Sequence, residues 1–187
     1  MRHFQKIADI DPVPLLHAVM RQPELWNQNR TRTYHEQSAH RAIDDILLRY
    51  NEFEEGQDFV DRVCANIRCV NMPAFGILSQ AQPIVFGLMA RVSGEHLGRV
   101  FISRIKPGSS IPPHSDRIPP AEEAFPDRIV PAVYYKRYQI ALKASPGIVF
   151  QAGAESVFMA PGEIWWFDNC VEHTVINWSD PLELVLH

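Results

Sequence analysis

Cysteine and long apolar runs are both scarce in this chain. Its three cysteines, Cys64, Cys69 and Cys170, are odd in number and show no paired spacing, which argues against a disulfide framework and against a zinc ribbon. No run approaches the roughly 18 apolar residues needed to cross a bilayer. The N-terminus lacks the apolar segment and cleavage site of a signal peptide. We therefore expect a cytoplasmic protein with no membrane partner.

An excess of positive charge is also absent. The 187 residues include 18 Lys and Arg against 22 Asp and Glu, a formal net charge of −4, and the cations are scattered along the chain. A nucleic-acid partner is therefore not expected. A chain of this length with 46% hydrophobic residues has material for one sizeable core. We predict a single domain, and its oligomeric state stays open.

Proline and glycine, in contrast, punctuate the second half of the chain. From Gly98 onward, short β-rich runs alternate with Pro and Gly turns. Eight short strands at this spacing predict a double-stranded β-helix, the cupin-like jelly roll. The fold class is thus an all-β core over residues 98–187, with residues 1–97 as a helical or mixed flank packed on the barrel. The predicted strands are 99–105, 111–116, 132–143, 147–152, 155–160, 163–167, 171–178 and 182–187.

The first half of the chain gives weaker signals. Residues 27–40 are polar and without periodicity, which predicts a loop with solvated histidines at His35 and His40. Residues 42–50 are compatible with helix or strand, and residues 72–78 with an apolar loop or strand. Residues 59–67 are weakly helical, and residues 83–92 predict a buried helix that begins near a proline.

A His-x-Asp pair, His114 and Asp116, follows the first of the strands predicted from Gly98 onward. Residues two apart on a strand point to the same side, so a strand here would bring the imidazole and the carboxylate together. His173, 57 positions after Asp116 (173 − 116), follows another predicted strand and is the candidate third ligand. Two histidines and one carboxylate with open positions form the ligand set of non-haem Fe(II) oxygenases. Cys170 could instead be a nucleophile paired with His173, although a small core residue is the preferred interpretation.

The segment Arg117–Pro131 is too rich in proline for sheet. Because it follows the His-x-Asp pair directly, it is either a lid over the site or a stiff surface excursion. Arg117 in this segment and Trp165 on a later strand are candidate substrate or lid residues. The alternation of strand side chains allows only one of Trp165 and Trp166 to line a cavity.

The chain resembles the aspartyl/asparaginyl β-hydroxylase family of Fe(II)- and 2-oxoglutarate-dependent dioxygenases. The resemblance covers about residues 44–187 and implies a double-stranded β-helix that uses O2 to hydroxylate an amino-acid side chain, free or within a peptide. By this resemblance His114 and His173 are the iron histidines and Asp116 completes the catalytic triad. The blocks that carry it are DDILLRY (44–50), SRIKPGSSIPPHSD (103–116), KRYQIAL (136–142) and GEIWWFDNCVEHTVINWS (162–179).

The resemblance also assigns residues to the cosubstrate. Ser103 matches a serine that helps to hold the distal carboxylate of 2-oxoglutarate, while Arg137 and Gln139 match residues near the proximal carboxylate. The family usually has an arginine for the distal carboxylate about ten residues after the second iron histidine. This chain has Glu183 there (173 + 10), and no Lys or Arg follows Lys143. Lys143 is in phase with Arg137 and Gln139 on one strand face and is the candidate replacement, as is Arg104 if its strand is bulged.

Two other functions compete with the dioxygenase. One is a non-redox metal-binding cupin, a sensor or binding module in which Glu183 reflects a lost 2-oxoglutarate site. The other is a metal-assisted isomerase or hydrolase on the same scaffold.

Overall fold

The computed structural model describes residues 3–34, 36, 38–51, 69–116, 135–179 and 183–187, with only the backbone of Glu183. Its strands are β1 (Phe4–Asp9), β2 (Asp44–Asn51), β3 (Cys69–Asn71), β4 (Val100–Ile105), β5 (Ser110–His114), β6 (Arg137–Lys143), β7 (Ile148–Ala152), β8 (Glu155–Val157), β9 (Glu163–Phe167), β10 (His173–Asn177) and β11 (Glu183–Leu186). The helices are α1 (Val13–Met20), α2 (Pro73–Ile77) and α3 (Ala81–Arg91), with a 3₁₀ turn at Pro23–Leu25.

These strands form two antiparallel sheets. The seven-stranded sheet has the order β1-β9-β6-β11-β4-β2-β3, and the four-stranded sheet has the order β5-β10-β7-β8. Neighbours in each sheet are mostly distant in sequence, as in a jelly roll. The predicted fold class is confirmed, because the described residues form eleven strands in two antiparallel sheets, with few helices beside them.

Alternating side chains on the strands of the larger sheet divide the interior into two cores. Ile140 and Leu142 of β6 face outward and pack with Leu15 of α1 and Phe75 of α2 in one apolar cluster. Ala141, between them, belongs to a second cluster shared with the four-stranded sheet. We call the space around this second cluster the barrel interior. Arg137 and Gln139 share the face of Ala141, so this strand directs polar groups into the interior.

A proline-glycine turn fixes the start of β9. Gly162 has φ +89°, and a Cβ atom there would lie 2.4 Å from the carbonyl oxygen of Ile10. The peptide N–H of Glu163 donates to the carbonyl of Ala160 at 3.0 Å, which closes a turn with Pro161 and Gly162 at its centre. Only glycine fits this position without displacing the chain before α1.

Each of the eight strands predicted from Gly98 onward has a counterpart, with bounds that shift by a few residues; residues 132–134 of the predicted strand 132–143 lie outside the described residues. The ambiguous segment 42–50 is largely strand β2. The prediction of a loop or strand at 72–78 is wrong, because α2 begins there at a proline, the residue best suited to a first helical turn. The helix predicted at 83–92 is present as α3, but it is not fully buried: only Ala81 and Val85 are, and Phe86 is 50% exposed.

The first half of the chain supplies β1, β2 and β3 to the larger sheet, so residues 1–97 do more than pack against the barrel as a flank. The predicted helix at 59–67 and the segment Arg117–Pro131 lie outside the described residues. Among the helices of the described ranges, none is long and apolar enough to cross a membrane.

Candidate metal centre

His114, Asp116 and His173 lie together at the point of the four-stranded sheet where β5 ends and β10 begins. His114 ends β5 and pairs directly with His173, the first residue of β10. One ligand atom from each residue lies within 4.8 Å of the others, and Nε2 of His173 is 3.9 Å from Oδ2 of Asp116. Asp116 lies two residues past the end of β5, where its peptide N–H donates to the carbonyl of Asn169 at 2.9 Å. The three side chains thus converge, although Asp116 is not on the strand that its spacing suggested.

Both histidines are oriented by their own chain. Nδ1 of His114 lies 2.8 Å from the carbonyl oxygen of Pro112, and Nδ1 of His173 lies 2.9 Å from that of Val171. A carbonyl only accepts, so Nδ1 carries the proton in each ring and Nε2 keeps its lone pair. Fixing the tautomer in this way is how proteins prepare imidazoles for metal binding. The sequence did not identify these partners.

Burial favours the neutral form of His173. The side chain is 3% exposed, and burial lowers the pKa of this imidazole, with a smaller contribution from the neighbouring His114. The rings of Phe167 and Phe150 lie 5.0 and 6.2 Å from it, centroid to centroid. A neutral, partly desolvated imidazole is the form that ligates metal ions.

Arg137 forms an ion pair with the carboxylate of Asp116. Its Nη1 lies 2.8 Å from Oδ2 of Asp116, with 13% and 12% of the two side chains exposed. Arg137 was predicted to lie near the proximal carboxylate of 2-oxoglutarate, and the structure places it beside the third candidate ligand. From this position it adjoins the candidate metal centre and is paired with Asp116.

A second guanidinium lies deeper, at Ser103. Arg32 donates from Nε and Nη2 to the two carboxylate oxygens of Asp45 at 2.7 and 2.9 Å, and from Nη2 to Oγ of Ser103 at 3.0 Å. The Ser103 hydroxyl in turn donates to Asp45 at 2.8 Å. Asp45 is 1% exposed and Arg32 is 9% exposed. The serine predicted to hold the distal carboxylate is therefore already engaged, next to an arginine that the sequence placed in a loop.

Two further histidines surround the centre. The ring of His40 packs edge-on against His114 at 5.0 Å, and its Nδ1 is buried. The sequence suggested a solvated loop residue here, which is wrong. His187 follows β11 and stacks on Phe101 at 4.6 Å. Burial, followed by the charge of Arg32, lowers the pKa of both imidazoles well below the ordinary value.

A cavity opens into the barrel interior beyond these groups. It is bordered mainly by aliphatic and aromatic side chains of both sheets, including Ile105, Ile148 and Phe150. Its polar lining residues are Gln139 and His187. Gln139, which was predicted to lie near the proximal carboxylate of 2-oxoglutarate, therefore borders this cavity.

The remaining predicted residues lie elsewhere. Lys143 is exposed at the end of β6 and is not among the described residues that line the cavity. Arg104 faces away from the interior, where it pairs with Asp44 at 2.6 Å and lies over the ring of Trp26. Trp165 packs on the interior cluster, and its Nε1 donates to Glu163 at 3.0 Å.

Two other predicted residues are described only in part or not at all. Arg117 is outside the described residues. Glu183 pairs through its backbone with Ile105.

The donor set fits iron(II). Two neutral imidazoles and one carboxylate on one side of the site make a facial triad with open positions. Nε2 of His114 is buried and has no hydrogen-bond partner among the described residues, and a metal ion would satisfy it. This triad in a jelly roll defines a class of protein, the non-haem iron oxygenases.

The sequence model of the family described as aspartyl/asparaginyl beta-hydroxylase matches residues 75–187, more than half of the chain. The chain belongs to this family. The prediction of a hydroxylase with Fe(II) and 2-oxoglutarate is thereby confirmed at the level of the family. The match includes every candidate metal ligand and leaves out Arg32, His40 and Asp45. No curated protein matches the chain.

Two solved structures with a TM-score of at least 0.50 share the fold. A viral collagen prolyl hydroxylase from Paramecium bursaria Chlorella virus 1, in complex with 2-oxoglutarate, has a TM-score of 0.53 at 10% identity, over 99% of this chain and 93% of that one. A truncated form of the same protein gives 0.50 at 11% identity, over 99% and 87%. A 2OG-Fe(II) oxygenase family protein from Burkholderia pseudomallei gives 0.48 at 16% identity, over 77% of this chain, which spans 63% of that one.

Proposed function

We propose that this chain is an Fe(II)- and 2-oxoglutarate-dependent dioxygenase that hydroxylates an amino-acid side chain, free or within a peptide, of the aspartate or asparagine kind. His114, Asp116 and His173 would hold the iron. Bound there together with 2-oxoglutarate and O2, the iron supplies the oxidation of an unactivated C–H bond to an alcohol. The observation that carries the proposal is the convergence of the three ligand atoms within 4.8 Å.

The residues around the candidate metal centre orient its ligands and exclude water. The carbonyl groups of Pro112 and Val171 keep the two imidazoles turned with Nε2 toward the metal position, and Arg137 pairs with Asp116 at 2.8 Å. Phe167 and Phe150 exclude water from one side of His173. Preorganised ligands and a dry wall are what a strongly oxidising centre needs from its protein.

Anaerobic titration tests the proposal. Metal-free protein receives Fe(II) and then 2-oxoglutarate, and we expect the visible charge-transfer band of a metal-chelated 2-oxo acid. His114→Ala should abolish the band, because one of the two nitrogen ligands is lost. His96→Ala is the matched control, since His96 is exposed and remote from the site. A band of undiminished strength in His114→Ala would refute this assignment of the ligands.

Activity is measured separately. With O2 present, the protein should release succinate from 2-oxoglutarate, and this release should increase when a peptide that contains the target residue is supplied. Mass spectrometry of the peptide should show the addition of one oxygen atom. Succinate release without any dependence on His114 or His173 would overturn the proposal.

A non-redox metal-binding cupin remains the second candidate, and one observation favours it. The Ser103 hydroxyl is engaged with Asp45 and Arg32, and Glu183 stands at the position of the usual arginine. This alternative predicts that metal binds and 2-oxoglutarate does not. The same anaerobic titration distinguishes the two functions, because only the dioxygenase gives the charge-transfer band.

The predicted location and partners complete the proposal. A cytoplasmic enzyme would find Fe(II) and 2-oxoglutarate together with peptide or small-molecule substrates. Neither nucleic acid nor membrane is expected among its partners.

A further inference from the structure

The cavity in the barrel interior has one polar corner. Its walls are apolar, except where Gln139 of β6 and His187, which follows β11, come together. Leu186 pairs with Ile140 across these strands, which places His187 beside Gln139. We call these two side chains the polar corner.

His187 lacks hydrogen-bond partners in this corner. Both ring nitrogens are buried and neither has a partner among the described residues. Phe101 stacks on the ring at 4.6 Å with an interplanar angle of 22°. A phenylalanine could stack on Phe101 in the same way, so this packing alone does not explain a histidine at position 187. Buried polar groups in proteins are nearly always hydrogen-bonded, and an exception calls for a ligand or water.

The surroundings of this imidazole favour an anion. Arg32 lies on Phe101, with its guanidinium carbon 4.2 Å from the ring centroid, and Arg137 is on the same face of β6 as Gln139. Both guanidinium groups lower the pKa of His187, although burial has the larger effect. A carboxylate at the corner would therefore lie near two cations, of which Arg32 is also paired with Asp45 and Arg137 with Asp116.

The corner lies at a suitable distance from the metal centre. Arg137 touches Asp116, and Gln139 follows two residues later on the same strand face. Two residues of strand span about 7 Å, which is comparable with the length of a five-carbon dicarboxylate. A ligand that chelates the metal beside Arg137 can therefore extend along β6 to Gln139 and His187.

We propose that His187, with Gln139 beside it, binds the carboxylate of 2-oxoglutarate that does not reach the metal. This inference rests on the proposed dioxygenase function and names the group that replaces the missing arginine. The imidazole donates a hydrogen bond to the carboxylate, and the Gln139 amide is positioned to donate a second one. Arg32 contributes positive charge from behind Phe101.

The test compares two cosubstrates on the Fe(II)-loaded protein. 2-Oxopentanoate has the chain length of 2-oxoglutarate, with a methyl group in place of the far carboxylate. Kd values for both are measured anaerobically, and their ratio is the preference for the carboxylate. We expect His187→Leu to reduce this preference about tenfold, the value of one lost hydrogen bond to a charged group. The Kd of 2-oxopentanoate should change by less than about threefold.

Two variants separate recognition from folding. His187→Gln keeps an N–H donor and should retain most of the preference, whereas His96→Leu, on the exposed surface, should leave it unchanged. If His187→Leu weakens both cosubstrates equally, the residue is structural and the proposal is wrong. An unchanged preference in His187→Leu also refutes it, as does a preference that disappears only in Arg32→Gln. If the wild-type protein binds neither 2-oxo acid in the presence of iron, the dioxygenase function itself fails.

Discussion

The ion pair between Arg32 and Asp45 should be one of the larger single contributions to the stability of the fold. The substitution Arg32→Met removes the guanidinium and leaves the Asp45 carboxylate, which is 1% exposed, without its two charged hydrogen bonds of 2.7 and 2.9 Å. Among the side-chain donors of the described residues, the Ser103 hydroxyl then remains bonded to this carboxylate. Removing one partner of a buried pair typically costs about 3–5 kcal/mol, because the other charge stays desolvated.

Urea denaturation of the metal-free protein at neutral pH measures this cost. We expect Arg32→Met to lower the free energy of unfolding by about 3 kcal/mol or more. The double variant Arg32→Met/Asp45→Leu should regain a large part of the loss, because it removes the orphaned carboxylate as well. Arg21→Met serves as the control: Arg21 is exposed, and a surface substitution should stay within about 0.5 kcal/mol. A loss below about 1 kcal/mol in Arg32→Met would show that Asp45 is solvated and would refute the reasoning.

Three further predictions concern the turn, the buried histidines and the metal. Gly162→Ala should destabilise the protein by about 2 kcal/mol or more, measured by urea denaturation, since its Cβ would lie 2.4 Å from the Ile10 carbonyl oxygen at a positive φ; an unchanged midpoint would contradict this. Because the pKa values of His40 and His187 are lowered in the folded state, the unfolded state binds more protons below pH 6.5. The free energy of unfolding should therefore fall as the pH decreases below 6.5, until the folded pKa values are reached. The fall should be steeper than in the His40→Gln/His187→Gln variant by up to about 2.7 kcal/mol per pH unit. Equal slopes in the two proteins would refute this. Fe(II), added anaerobically, should raise the Tm of the wild type and not of His173→Ala, and an equal rise in both would place the metal elsewhere.

The β-rich half of the chain was predictable because its signals are local. Pro-Gly turns and alternating residues mark each strand, and the His-x-Asp pair and His173 stand beside strand ends. Family resemblance added the fold and the cosubstrate. Even here the local argument failed in one detail: Asp116 reaches the site from beyond β5, held by the carbonyl of Asn169, and strand geometry alone gives no sign of that.

The groups around the metal centre were not predictable, because they are brought together by contacts between distant segments. Arg32 and His40 stand in a polar stretch without periodicity, and only the pairing of β2 with β4 brings Asp45 to Ser103. His187 offered a weaker signal. It is in phase with Val185 on the last predicted strand, and this alternation places it on the interior face.

The pairing of β2 with β4 joins two parts of the chain that play different roles. The region matched by the family model, residues 75–187, contains all three candidate metal ligands and Arg137, whereas Arg32, His40 and Asp45 come from the part before it. The candidate metal centre and the buried Arg32–Asp45 pair are therefore encoded in different parts of the chain. Replacement of the first part could alter which ligand the barrel admits while the iron chemistry stays the same, so selectivity could diverge among relatives without any change at the metal.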